Sequence, residues 1–150
     1  MPQLKHDAII LEMKATTKEG ALRELAGLAA TVCGRFTEEI LYNVLLERES
    51  VGSTGVGNGV AIPHGKIEGL DEILLCFGRS KAGINFDAVD NRPAYLFALL
   101  LSPASKAGEY LSTLARVSKI LKQSDARQRL LDSTSREEIA SLFATQPGAA

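Results

Sequence analysis

The sequence has no tryptophan, and aromatic residues of all kinds make up only 5% of it. A surface for stacking nucleic-acid bases is therefore a poor expectation. Surplus positive charge is missing too: 17 lysines and arginines stand against 18 aspartates and glutamates. Without that surplus nothing neutralises a phosphate backbone, so nucleic acid is excluded as a first reading of the partner. Cysteine is scarce. Cys33 and Cys76 lie 43 residues apart in unlike settings, which excludes a disulfide framework and a CxxC motif. Both read as small buried hydrophobes in a reducing, cytoplasmic setting. The two histidines and two cysteines share no ligand spacing, so no metal site is expected. No apolar run approaches the ~20 residues of a membrane span. The N-terminal stretch is broken by Glu12 and Lys14 and lacks a cleavage pattern, so no membrane insertion or export is expected. Internal repeats and linkers rich in proline, glycine or serine are also missing.

What remains is an ordinary globular composition, 45% apolar and 23% charged over 150 residues. That length suits one domain, residues 1–150, with an ordered core over about 8–145 and a frayed tail from Gln146. Ala8 to Met13 is short and β-branched and reads as a strand. Thr17 opens a helix whose stripe is Leu22, Leu25, Ala29 and Val32, and Gly34 stops it. Thr37, followed by Glu38 and Glu39, opens a second helix with Ile40, Leu41, Val44 and Leu45 as its apolar residues. Ile73–Gly78 and Ala94–Leu101 are continuous apolar runs, the pattern of strands covered on both faces. The last third is helical, with Leu111, Leu114, Val117 and Leu121 on one stripe. Ser135 and Glu138 form a capping box before a final helix carrying Ile139, Leu142 and Phe143. The order predicts an α/β sandwich with helices over a mostly buried sheet.

Between the helices and the long strands, Ser50 to Gly65 reads SVGSTGVGNGVAIPHG and holds five of the 13 glycines. Glycine lets backbone N–H groups approach oxygens, so the loop suggests phosphate. It is not a P-loop: GVAIPHGKI has one residue too many between its glycines, and Ile67 where a hydroxyl belongs. It is not a dinucleotide fingerprint, because the third glycine position is Ile62. What the loop presents is His64, between Pro63 and Gly65. Pro63 restricts the chain before it, and Gly65 is expected to let the chain turn away from the imidazole. A neutral imidazole carries a nucleophilic lone pair near pH 7 and can attack phosphorus without a general base. Arg48 supplies a bidentate cation, Ser53 and Thr54 supply hydroxyls, and Gly65 supplies an open backbone: a phosphate-binding shell for a phosphohistidine. His6, in a polar stretch, reads as merely solvated.

ERESVGSTGVGNGVAIPHGK, Glu47 to Lys66, resembles the active-site signature of the fructose/mannitol-type EIIA domains of the bacterial phosphoenolpyruvate:sugar phosphotransferase system. Within that family it is most similar to the stand-alone nitrogen-regulatory branch, EIIA-Ntr. A second stretch, Ile84 to Pro103 (INFDAVDNRPAYLFALLLSP), is similar to the family's strand–DNxP–strand segment. The resemblance runs from Ala8 to Phe143 and implies a three-layer α/β/α sandwich with a small mixed β-sheet flanked by helices. It implies a phosphocarrier that takes a phosphoryl group from HPr or its nitrogen-branch counterpart NPr onto His64, with Arg48 stabilising that group. The implied acceptor is an EIIB domain or, in the nitrogen branch, a regulatory protein that reads the phosphorylation state. No cofactor is implied, since the imidazole itself does the chemistry. No EIIB or EIIC segment is recognisable, which leans towards the regulatory branch.

One position departs from the family pattern. Many relatives carry a second active-site histidine early in the helix after the last buried strand, where this chain has Tyr110-Leu111. A tyrosine hydroxyl donates a hydrogen bond but carries no positive charge at neutral pH. The alternatives to a phosphocarrier are therefore a non-catalytic regulatory module with the same fold, or a simple anion-binding domain.

Overall fold

The two continuous apolar runs become the two long strands at the middle of one sheet. A computed structural model describes residues 2–144; the expected fray from Gln146 lies outside the described residues. The elements are β1 (Ile9–Ile10), α1 (Lys18–Cys33), α2 (Glu38–Glu49), β2 (Gly55–Gly57), β3 (Val60–Ala61), β4 (His64–Lys66), β5 (Leu74–Ile84), β6 (Ala94–Ser102), α3 (Ala107–Lys122), α4 (Ser124–Asp132) and α5 (Arg136–Ala144). The sheet is mixed, in the order β1-β5-β6-β3-β2, with β4 also on β6. β5 and β6 run antiparallel, Leu75 opposite Leu100 and Phe77 opposite Ala98. β3 and β4 are parallel to β6 along the same side, Val60 opposite Leu96 and His64 opposite Leu100. They are one strand line interrupted at Ile62-Pro63. Pro63 has no N–H to give the ladder, although its carbonyl still accepts from Leu100 N at 3.0 Å.

Side chains alternate across a strand, so adjacent Phe77 and Gly78 serve different layers. Phe77 packs on Phe143 of α5, ring centroids 5.5 Å apart. Gly78 faces the other way, where a Cβ would stand 2.7 Å from Met13 Sδ and 3.2 Å from Leu25 Cδ2 of α1. Helices therefore cover both faces, as a three-layer sandwich requires. Phe77, Phe86, Phe97, Leu99 and Leu100 are fully enclosed between them.

The helix boundaries are set by local chemistry. Thr17 Oγ1 accepts from Gly20 N at 3.0 Å, and Gly34 ends α1 in the left-handed region at φ 66°. Thr37 Oγ1 accepts from Ile40 N at 3.2 Å. Ser135 Oγ accepts from Glu138 N at 3.2 Å, and the Glu138 carboxylate reaches back to Thr134 N at 3.2 Å.

Three expectations need correction. The strand expected over Ala8–Met13 shrinks to Ile9–Ile10, because arginine side chains compete for its carbonyls: Arg136 Nε donates to Ile9 O at 3.0 Å and Arg79 Nε to Leu11 O at 3.1 Å. Leu111 is 64% exposed, and the buried stripe of α3 is instead Tyr110, Thr113, Val117 and Ile120 with Leu121. On α2, Leu41 and Leu45 are buried but Ile40 is 47% exposed.

Candidate active site

Three elements bring side chains to one groove. The last turn of α2 carries Arg48, β4 carries His64 and the first turns of α3 carry Tyr110. The groove, about 490 Å³, is lined by Glu47, Arg48, Val51, His64, Lys66 and Tyr110, together with Val44 and Gly65. A depression of similar size, about 500 Å³, lies beside Cys33, Val32 and Leu70, but no histidine lines it. Volume alone therefore does not locate the chemistry.

The imidazole of His64 is oriented from both sides. Nδ1 lies 2.7 Å from Ile62 O. A carbonyl only accepts, so Nδ1 carries the proton and Nε2 keeps its lone pair. Arg48 Nε donates to Nε2 at 3.3 Å, in agreement with that tautomer. Burial pushes the His64 pKa below the ordinary histidine value, and the Arg48 charge pushes the same way, while the Ile62 carbonyl and the Glu49 carboxylate oppose them. The ring is thus held neutral, half-buried, with its nucleophilic nitrogen facing a guanidinium.

Arg48 also donates through Nη1 to Gly52 O at 2.9 Å. One guanidinium so ties the end of α2 to the start of the glycine loop and to the histidine after it. Guanidinium has five N–H donors, and these two bonds leave others for an anion.

The hydroxyls of the loop lie elsewhere. Thr54 is 3% exposed and its Oγ1 donates to Glu49 Oε2, while Thr54 N donates to Glu49 Oε1 at 3.0 Å. Ser53 Oγ donates to Phe86 O at 2.8 Å and accepts from Gly55 N at 3.0 Å. Neither lines the groove. The phosphate-binding shell expected of Ser53 and Thr54 is corrected on that ground: both hydroxyls are committed to backbone and carboxylate partners that fix the loop. Gly65 also has a different reason from the one expected. It continues β4 opposite Leu101, and a Cβ on it would stand 2.8 Å from Val44 Cγ1, so it permits close packing of α2 and not a turn.

Two residues of the neighbourhood escape sequence reasoning. Glu49 is 8% exposed and joins α2, the loop and α1, because Lys18 Nζ lies 3.0 Å from its Oε1. Its signal in the sequence was only adjacency to Arg48. Lys66 shares the groove, its Nζ 5.7 Å from the Tyr110 ring centroid. The i, i+2 spacing from His64 on a strand points to it. Tyr110 is 5% exposed, with its ring 6.2 Å from that of His64 and tilted by 53°. Burial raises the pKa of its phenol, with Arg48 opposing, so the hydroxyl is protonated at neutral pH. Among the described residues no helix is long and apolar enough to cross a membrane.

Residues 2–146 match the family model described as phosphoenolpyruvate-dependent sugar phosphotransferase system, EIIA 2. The chain is 39% identical over 144 residues to a nitrogen regulatory protein of Bradyrhizobium diazoefficiens, covering 96% of this chain and 94% of that one. It is 36% identical over 138 residues to the fructose-specific EIIA component of Haloferax volcanii, covering 92% and 90%. The crystal structure of the nitrogen regulatory protein IIA-Ntr from Neisseria meningitidis superposes with a TM-score of 0.89 at 31% identity, covering 93% of this chain and 95% of that one. The fold, the groove and these likenesses together show that the chain belongs to the EIIA type 2 family of the phosphoenolpyruvate-dependent sugar phosphotransferase system.

Proposed function

We propose that His64 is the phosphoryl-accepting residue of a cytoplasmic phosphotransferase that carries the group between proteins, and that Arg48 stabilises it in transit. The observation that supports this most directly is the His64 ring itself: Nδ1 is bound to the Ile62 carbonyl and Nε2 faces Arg48 Nε. Attack by Nε2 forms the new N–P bond while the N–P bond of the donor phosphoimidazolium breaks, and the donor ring leaves as neutral imidazole with the electron pair. The His64 ring takes up the positive charge, and the proton retained on Nδ1 stays hydrogen-bonded to the Ile62 carbonyl. Arg48 has to release Nε2 at that moment and turn its donors to the three phosphoryl oxygens, where charge accumulates. No cofactor takes part.

The donor is a small phosphohistidine protein of the HPr or NPr kind. Exposed Val51, 81% accessible on the groove wall, gives such a protein an apolar point to dock on. Of the two outlets, regulation fits better than delivery to an EIIB domain; the likeness to nitrogen regulatory proteins in both sequence and structure supports this choice.

Incubation with enzyme I, HPr or NPr, and phosphoenolpyruvate should add one phosphate, acid-labile and base-stable. His64→Ala should take up none. Full labelling of that variant moves the site elsewhere and overturns the assignment. Capture of different partners by the phosphorylated and unphosphorylated forms, with no transfer to EIIB domains, is the expected sign of the regulatory outlet.

A further inference from the structure

The groove holds a second cation that neither the hydrogen-bond network nor the apolar core accounts for. β4 alternates, so His64 and Lys66 lie on one face while Gly65 packs on α2 from the other. Tyr110 leans over both from α3, with its ring centroid 6.2 Å from the His64 ring and 5.7 Å from Lys66 Nζ. The ring is nearly buried; the lysine is exposed. The tyrosine hydroxyl makes no hydrogen bond among the described residues. Its π face, by contrast, has an ammonium within the range of a cation–π contact.

Charge arithmetic gives this arrangement a purpose. A phosphoryl group brings roughly −1.5 to −2 charges at neutral pH. Arg48 supplies one positive charge, and the carboxylate of Glu47, which lines the same groove, works against it. Lys66 is the other cation lining the groove. We propose that Lys66 is a second phosphoryl-binding residue and that Tyr110 is its positioning residue, holding the ammonium beside His64 through the ring face and not through the hydroxyl. The inference rests on His64 carrying the phosphoryl group.

A test independent of any protein donor separates the two ideas. The protein is equilibrated with N-phosphoimidazole and imidazole at pH 8, and phosphohistidine is counted by phosphorus NMR. The P–N bond of the small molecule breaks as the one to Nε2 forms, and the partition reads the affinity of the site for the group. Lys66→Met should lower the partition about tenfold, the loss of a hydrogen bond to a charged group. Lys66→Arg and Tyr110→Phe should stay near the native value. Tyr110→Leu should lower it roughly two- to fivefold, the range of an exposed cation–π contact. The double variant Tyr110→Leu/Lys66→Met should be no worse than Lys66→Met alone, since the two act as one unit.

A Tyr110→Leu partition equal to native overturns the proposal. So does a Tyr110→Phe loss as large as that of Tyr110→Leu, because the hydroxyl is then the active part. Should Tyr110→Leu not fold, the Lys66 side-chain protons of the native protein decide: ring-current shifts are expected, and unshifted resonances overturn the contact. Native protein that takes the group from phosphoimidazole but not from phospho-HPr or phospho-NPr refutes the carrier reading and leaves this one standing. Protein that takes it from neither refutes both.

Discussion

Arg79, in the middle of β5, is 4% exposed, and four backbone carbonyls accept from it: Leu11, Leu130, Leu131 and Ser133. Arg48, at the end of α2, gives one hydrogen to the Gly52 carbonyl and another to the His64 ring nitrogen. Each is a guanidinium near a helix C-terminus, where a cation is favoured. The difference lies in what each one holds. Arg79 meets the last carbonyls of α4 and the backbone after β1, so its work is finished inside the protein. Arg48 is half-buried, holds a partner that is itself a nucleophile and keeps donors for a newcomer. Whether an arginine staples a fold or serves a site is decided by the chemistry of its partners: Arg79 meets only backbone carbonyls, whereas Arg48 meets a ring nitrogen that can act as a nucleophile.

The largest effect should come from breaking the staple. Arg79→Met takes the donor from four carbonyls, of which Leu130 O and Ser133 O are buried, at about 1–3 kcal/mol for each buried one before relaxation. A net destabilisation on the order of 3–5 kcal/mol is expected in urea unfolding, the size seen when a buried charge network loses a member. Phosphoryl uptake by the fraction still folded should be near native. Unfolding midpoints equal to native dissolve the distinction between the two arginines.

Arg48→Met should do the reverse. Its melting temperature should stay close to native, while the initial rate of labelling falls on the order of 10²-fold, the usual consequence of removing one preorganised donor from a developing anion. Arg48→Lys should recover only part, since an ammonium lacks the fork that spans two oxygens. A variant that melts early but labels normally makes Arg48 a second staple.

Between these extremes stands Glu49, which holds the loop but touches neither nucleophile nor guanidinium. Glu49→Gln keeps the shape and removes the charge opposite Lys18, 3.0 Å away, so a loss of about 1–3 kcal/mol is expected in unfolding. Labelling should slow only a few-fold, because Arg48 still has Gly52 to anchor it. An equal loss in Thr54→Val, with no further loss in the double variant, is the signature of one coupled unit.

The same division explains how much was visible in the residues alone. Thr17, Gly34, Thr37 and Ser135 act on neighbours three or four residues away, so the helix boundaries were legible. The long strands were legible because an apolar run buried on both faces needs no partner to be recognised. His64 stood out through Pro63 and the glycines beside it, and Arg48 through its place in the family signature. Thr54 was misplaced because its hydroxyl was judged by type, and type does not say that Glu49 closes over it from five residues back. Arg79 passed unnoticed inside a strand because three of its carbonyls lie 51 to 54 residues further on and the fourth 68 residues back. Leu111 was assigned inward by periodicity, yet the helix turns Tyr110 to the groove and leaves Leu111 outside. Short-range chemistry is written locally; the use of a polar side chain is settled by what the fold brings to it.

The smallest effect is also the most discriminating, since it asks the two arginines the same electrostatic question. His64 has its pKa lowered chiefly by burial and secondly by Arg48. The folded protein therefore resists protonation at a pH where the unfolded chain, near the ordinary value of about 6.5, has already taken a proton. The stability His64 contributes as a neutral ring is fully present above that pH, and it is lost as pH falls through the lowered folded value. Native protein should lose ground to His64→Gln over that window in urea midpoints, and labelling should hold its plateau through pH 6.5 before declining. Arg48→Met removes one of the two lowering causes, so the His64 titration followed by NMR should move up towards the ordinary value. Arg79→Met leaves both causes in place and should leave the titration where it is. If both substitutions move it equally, the field at His64 belongs to the whole protein's charge and not to the guanidinium facing its lone pair.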